Sequence, residues 1–165
     1  MTKYLDEYNP GAKGLNYQAQ ADAGKLKFNN IRSCIAVVLV PSGGNTMAGV
    51  HLTTATTKNM TELQSAMADL TGAAGPGPHD AYLVAAFGYH AGTPLVKALR
   101  KVALNVYLCD VTPDKDDPAH EADVDVKFEA KGGAWSPTSA RTPTSSSTGP
   151  TAPRGARCGR TSTAR

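Results

Sequence analysis

The chain has 165 residues, with 17 Lys and Arg against 14 Asp and Glu and a hydrophobic fraction of 41%, enough for one domain with one core. The formal charge of +3 misleads, because residues 136–165 hold five arginines and no acidic side chain, leaving 12 basic and 14 acidic side chains in 1–135. A slightly acidic body argues against a nucleic-acid partner, which needs clustered Lys and Arg, and no apolar run approaches the ~20 residues of a membrane span.

Residues 1–24 are polar and carry Pro10, Gly11, Gly14 and Gly24, so they read as a loose N-terminal arm. Lys25–Phe28 begins a strand. Ile35–Val40 is an unbroken apolar run of the kind that forms a fully buried strand. Pro41-Ser-Gly-Gly-Asn45 is dense in turn residues, and Met47–Leu52 is a second run. A hairpin turn centred on Gly43-Gly44 pairs residues whose numbers sum to about 87. Cys34 then faces Thr53 and lies diagonal to His51 on one side of the sheet. A slip of one residue would place the two on opposite faces.

Thr61–Leu70 is the clearest helix. Thr61-x-x-Gln64 has the form of a capping box, and Leu63, Ala66, Met67 and Leu70 make one apolar face. Gly72–Pro78 ends it in a loop. Ala81–Phe87 reads as a buried strand. Thr93-Pro94 opens a second helix with proline at its first position, carried by Leu95, Ala98, Leu99 and Val102. Asn105–Val111 is a strand, and Val124–Ala130 alternates as a strand wet on one side. The order ββαβαββ predicts a layered α/β sandwich with a mixed or antiparallel sheet and two main helices, rather than a doubly wound nucleotide fold.

Residues 136–165 contain no Leu, Ile, Val, Met or aromatic side chain. Such a stretch has nothing to bury against its ordering entropy, so 132–165 is expected to be a disordered tail. It is either a natural basic extension or the product of a shifted reading frame in a GC-rich coding sequence. Cys158 within it carries no weight, and Cys109, inside a strand pattern, reads as packing.

Cys34 and His51 are the candidate catalytic pair. Taken singly, a strand cysteine is a small core residue and a histidine a satisfied polar group. Together they are the minimum for acyl transfer from an amide, since an imidazole can take a thiol's proton and return it to a leaving group.

The run Arg32-Ser-Cys-Ile-Ala-Val-Val-Leu-Val40, the glycine turn, and Ala48-Gly-Val-His-Leu52 resemble the chemotaxis glutamine deamidase family CheD. The Cys34-to-His51 spacing is similar to that family's. Looser likeness runs through Thr61–Leu70, Ala81–Gly88, Leu104–Asp110 and Val124–Ala130, so residues 25–131 form the expected domain. Cytotoxic necrotising factor toxins share the wider fold and the Cys/His pair. The resemblance implies Cys34 as nucleophile, His51 as general base, and deamidation of glutamine on a partner protein, with no cofactor. The family's glycine before Ser-Cys is Arg32 here, the second glycine of its Phe-Gly-Gly is Tyr89, and its histidine-orienting threonine is missing from Phe28-Asn-Asn-Ile31. Asn29 and Asn30 are the candidates to orient the imidazole in its place. Ser33, with its backbone, and His90, in the loop after a buried strand, are candidates for the oxyanion site and pocket.

Two alternatives stay open: a non-catalytic binding module on the same scaffold, and an effector or toxin-type deamidase acting on a host protein. Four histidines without paired-cysteine or H-E-x-x-H spacing predict no zinc site. Gly72–Gly77 lacks the Lys-Ser/Thr of a phosphate loop, and the aspartates of 110–117 lack a calcium loop's glycine and closing glutamate. Three dispersed cysteines suggest no disulfide framework and favour a reducing, cytoplasmic setting, with a secreted effector as the other possibility. Oligomeric state is left open.

Overall fold

The structure is a computed structural model, and it describes residues 2–9, 20–22, 25–29, 31, 33–42, 46–87, 93–112, 124–131, 134–141 and 157–160. The elements in chain order are β1 (Thr2–Leu5), β2 (Gln20–Asp22), β3 (Lys25–Phe28), β4 (Ile35–Pro41), β5 (Met47–Leu52), α1 (Thr54–Lys58), α2 (Met60–Ala74), β6 (His79–Ala85), α3 (Thr93–Leu99), β7 (Asn105–Asp110), β8 (Val124–Lys131), β9 (Ala134–Arg141) and β10 (Arg157–Arg160). The chain is mixed α/β. From β4 to β8 the order is the expected ββαβαββ, with the short α1 added before α2. No helix among the described residues is long and apolar enough to cross a membrane.

Two sheets form, ordered β10-β7-β6-β4-β5-β2 and β1-β3-β8-β9. The six-stranded sheet is antiparallel except where β6 and β7 run parallel across α3. The continuous apolar sequence of β4 follows from its central place, since Ile35 to Val40 are all buried. Alternate residues serve two cores. Ile35, Val37, Leu39, Val50 and Leu52 meet Leu63, Ala66, Met67 and Leu70 of α2 and Leu95 and Leu99 of α3. Ala36, Val38, Val40 and Met47 meet Leu5, Leu26 and Phe28 of the small sheet. The result is three layers: helices, large sheet, small sheet. Gly49 marks the close approach of the last two, since a Cβ there would stand 2.7 Å from Leu26 Cδ1 and 2.8 Å from Phe28 Cζ.

The domain differs from the expected 25–131 at both ends. β1 and β2 lie in the supposed loose arm, yet β1 pairs in parallel with β3 and β2 pairs with β5. β9 and β10 lie in the supposed disordered tail, yet they pair with β8 and β7. The composition argument weighs only side chains, whereas an exposed sheet edge offers backbone hydrogen bonds to any extended segment. Residues 132–133, 142–156 and 161–165 of that tail lie outside the described residues. Cys109 and Cys158 are joined by a disulfide, which corrects the reading of Cys109 as packing, of Cys158 as carrying no weight and of the three cysteines as forming no disulfide framework. Forty-nine residues of sequence separate them, and only the pairing of β10 with β7 sets them opposite each other.

The capping of α2 also differs. Its N-cap is Asn59, whose side-chain oxygen accepts from the backbone N–H groups of Thr61 and Glu62, while its amide donates to Glu62 Oε1 at 2.9 Å. The cap is therefore Asn59, two residues before the expected one, and it is not a reciprocal box, because the Asn59 backbone N–H goes to the carbonyls of Ala55 and Thr56. α3 ends at Leu99, so Val102 lies beyond it.

Candidate active site at Cys34 and His51

Ala36 and His51 are directly paired between β4 and β5. Their numbers fix the register expected for a turn at Gly43-Gly44, which lies outside the described residues. Cys34, two residues before Ala36, therefore belongs to the same face as His51. That face is the one toward the small sheet, where Cys34 packs in the cluster with Leu5, Phe28 and Ala36. Phe28 meets the His51 ring edge-on, with centroids 6.2 Å apart and planes at 84°. Thr54, at the start of α1, donates its hydroxyl to the Ser33 carbonyl at 2.6 Å, tying the segment before Cys34 to the segment after β5.

His51 is held on both its ring and its backbone by the N-terminal segment. Its Nδ1 lies 3.2 Å from the carbonyl oxygen of Leu5, and its own carbonyl accepts from the Tyr8 N–H at 2.6 Å. A carbonyl only accepts, so Nδ1 carries the proton and Nε2 of the neutral ring carries the lone pair. Nε2 is buried and has no hydrogen-bond partner among the described residues. Burial holds the imidazole below its ordinary value. The bond to Leu5 and the charges of Glu7 and Asp6 pull the other way without overcoming it.

Cys34 is 5% exposed and His51 4%. The thiol of Cys34 donates to Glu7 Oε1 at 3.2 Å. Glu7 is itself exposed, so the sulfur lies one side chain beneath the surface. Glu7 also forms a parallel bridge with His51.

Of the sequence candidates, Cys34 and His51 share a face and Ser33 borders Cys34, exposed. Asn29 is half-buried just after β3, and the atom that holds Nδ1 is the Leu5 carbonyl rather than an asparagine side chain. Asn30, Arg32, Tyr89 and His90 lie outside the described residues. Leu5, Glu7 and Tyr8 escaped the sequence reading. The one trace was the apolar Leu5 and Tyr8 in a polar stretch, and a backbone carbonyl leaves no signature in sequence at all. Among the described residues no group of three or more His, Cys, Asp or Glu could hold a metal ion. No protein-family model matches the chain, and neither does any curated protein.

Proposed function

We propose that the chain is a cysteine-dependent deamidase that converts a glutamine side chain of a partner protein to glutamate, on a scaffold of the CheD and cytotoxic necrotising factor type. The observation that carries this is the 3.2 Å contact of His51 Nδ1 with the Leu5 carbonyl. With Nδ1–H donated to Leu5, the unpartnered Nε2 is the nitrogen able to take a proton, and it sits on the face that holds Cys34.

His51 Nε2 draws the proton from the Cys34 thiol, and the thiolate attacks the carboxamide carbon of the glutamine. The oxyanion is received by backbone N–H groups near Ser33 and Cys34; one such donor is typically worth roughly 10²–10³ in rate. The imidazolium gives its proton to the amide nitrogen, ammonia leaves, and a thioester remains. Water then yields a proton to Nε2 and adds to the thioester carbon, and the thiol is restored as glutamate departs. Each proton taken is returned, so the cycle consumes one water and requires no cofactor. A host protein as substrate is the effector form of the same chemistry.

The test is ammonia release from an unstructured glutamine-rich polypeptide, by the wild type and by Cys34→Ser and His51→Gln. Each variant should lose at least about a thousandfold. Full activity in Cys34→Ser would remove the nucleophile from this role.

One observation favours the second reading, a non-catalytic binding module: the thiol is buried and donates to a carboxylate, an arrangement that leaves sulfur protonated. Iodoacetamide on the Glu7→Gln variant, in which no carboxylate holds the thiol, separates the two. An activated thiol alkylates faster than free cysteine, and a structural one barely reacts.

A further inference from the structure

We propose that Asp6–Asn9 is a strap closed over the Cys34–His51 site, and that Glu7 on it keeps the thiol in a protonated resting form until the strap lifts. This rests on Cys34 as nucleophile and His51 as base.

The strap joins two cores. Leu5 is buried on the small-sheet side and Tyr8 on the helix side, with the exposed Asp6 and Glu7 between them. In that span the chain crosses the outer edge of β5. β2 occupies that edge from Met47 to Gly49, and the strap takes it at His51 through the Tyr8 N–H. The far end is latched to α2, where the Tyr8 hydroxyl donates to Asp69 Oδ2 at 2.6 Å and approaches Ser65 Oγ at 3.3 Å. Asp6 and Glu7 between these anchors are exposed, and exposed segments open locally at lower cost than strands in the core.

Glu7 cannot be the working base. The bond runs from the thiol to the carboxylate, with the proton on sulfur. The carboxylate also opposes negative charge on the atom it touches. Imidazole is ordinarily a better match to a thiol than a carboxylate is, a margin that burial of the His51 ring narrows, and His51 Nε2 has no competing partner among the described residues. The bond from Cys34 to Glu7 is thus a contact of the closed state that proton transfer to His51 must break.

The experiment measures iodoacetamide alkylation of the oxidised chain of 165 residues, in which Cys34 is the cysteine outside the disulfide. Tyr8→Phe removes the latch to Asp69, a charge-assisted bond, together with the contact to Ser65, and should speed alkylation about tenfold. Glu7→Gln keeps the shape, removes the charge, and should also speed it. Rates equal to or below wild type in both variants would overturn the strap. The same variants are then made with His51→Gln. If the gains disappear, His51 is the base that the strap restrains. If they persist, the strap stands and the assignment of His51 as base falls.

Discussion

The Leu5 carbonyl oxygen stands 3.2 Å from Nδ1 of His51, and β1 thereby sets which nitrogen of a ring that belongs to β5 carries the proton. The ring is held below its ordinary value, chiefly by burial, so between that lowered value and about 6.5 the unfolded chain binds the proton and the folded chain does not. Stability therefore rises with pH through this window and is lost as pH falls through it. Urea midpoints measured from pH 7.5 down to 5 should drop for the wild type and drop less for His51→Gln. Equal slopes in the two proteins would place the acid sensitivity elsewhere.

Gly49 and Gly72 should respond oppositely to alanine. At Gly49 the new Cβ would meet Leu26 and Phe28 at under 3 Å, and both are fully buried, so neither can swing aside. Overpacking of this kind costs about 1–3 kcal/mol. Gly72 lies in α2 with nothing within 4 Å of an added Cβ, so Gly72→Ala should stabilise by roughly 0.5–1 kcal/mol through helix propensity. Equilibrium urea unfolding of the two variants gives both signs.

Much of the inner fold was legible because its signals are carried by side chains. The apolar run of β4 announced a strand buried on both faces, and the turn residues between β4 and β5 implied the register that pairs Ala36 with His51. The stripe of Leu63, Ala66, Met67 and Leu70 announced α2. What stayed hidden is carried by backbone. β1 and β10 join their sheets through main-chain bonds that polar sequences make as well as apolar ones. The site divides in the same way: Cys34 and His51 stand out by chemistry, whereas Leu5 acts through a carbonyl and Glu7 is one acidic residue among many until the chain folds it back onto sulfur.

Asn59 satisfies two N–H groups at the start of α2 and also binds the side chain of Glu62. Asn59→Ala should cost about 1 kcal/mol. Glu62→Ala should cost less, because the cap oxygen remains. Thr61→Ala should cost little, since its hydroxyl is not the cap of this helix. Thermal unfolding followed at 222 nm ranks the three, and a larger loss at Thr61 than at Asn59 would restore the later start to the helix.

Cys109 is fully buried on β7, while Cys158 is exposed on β10. Their bond closes a loop of about fifty residues of a sequence that has few apolar side chains of its own to hold it. In the chain-entropy account a closure of this length contributes at most about 4 kcal/mol. Thiol titration of the unfolded chain should find one reactive cysteine before reduction and three after it. Reductant or Cys158→Ser should lower the urea midpoint and speed amide exchange in Tyr107–Asp110, the register β10 covers, without changing exchange in β4. Three thiols before reduction would mean that β10 is held to β7 by backbone pairing alone, and the midpoint should then be indifferent to reductant.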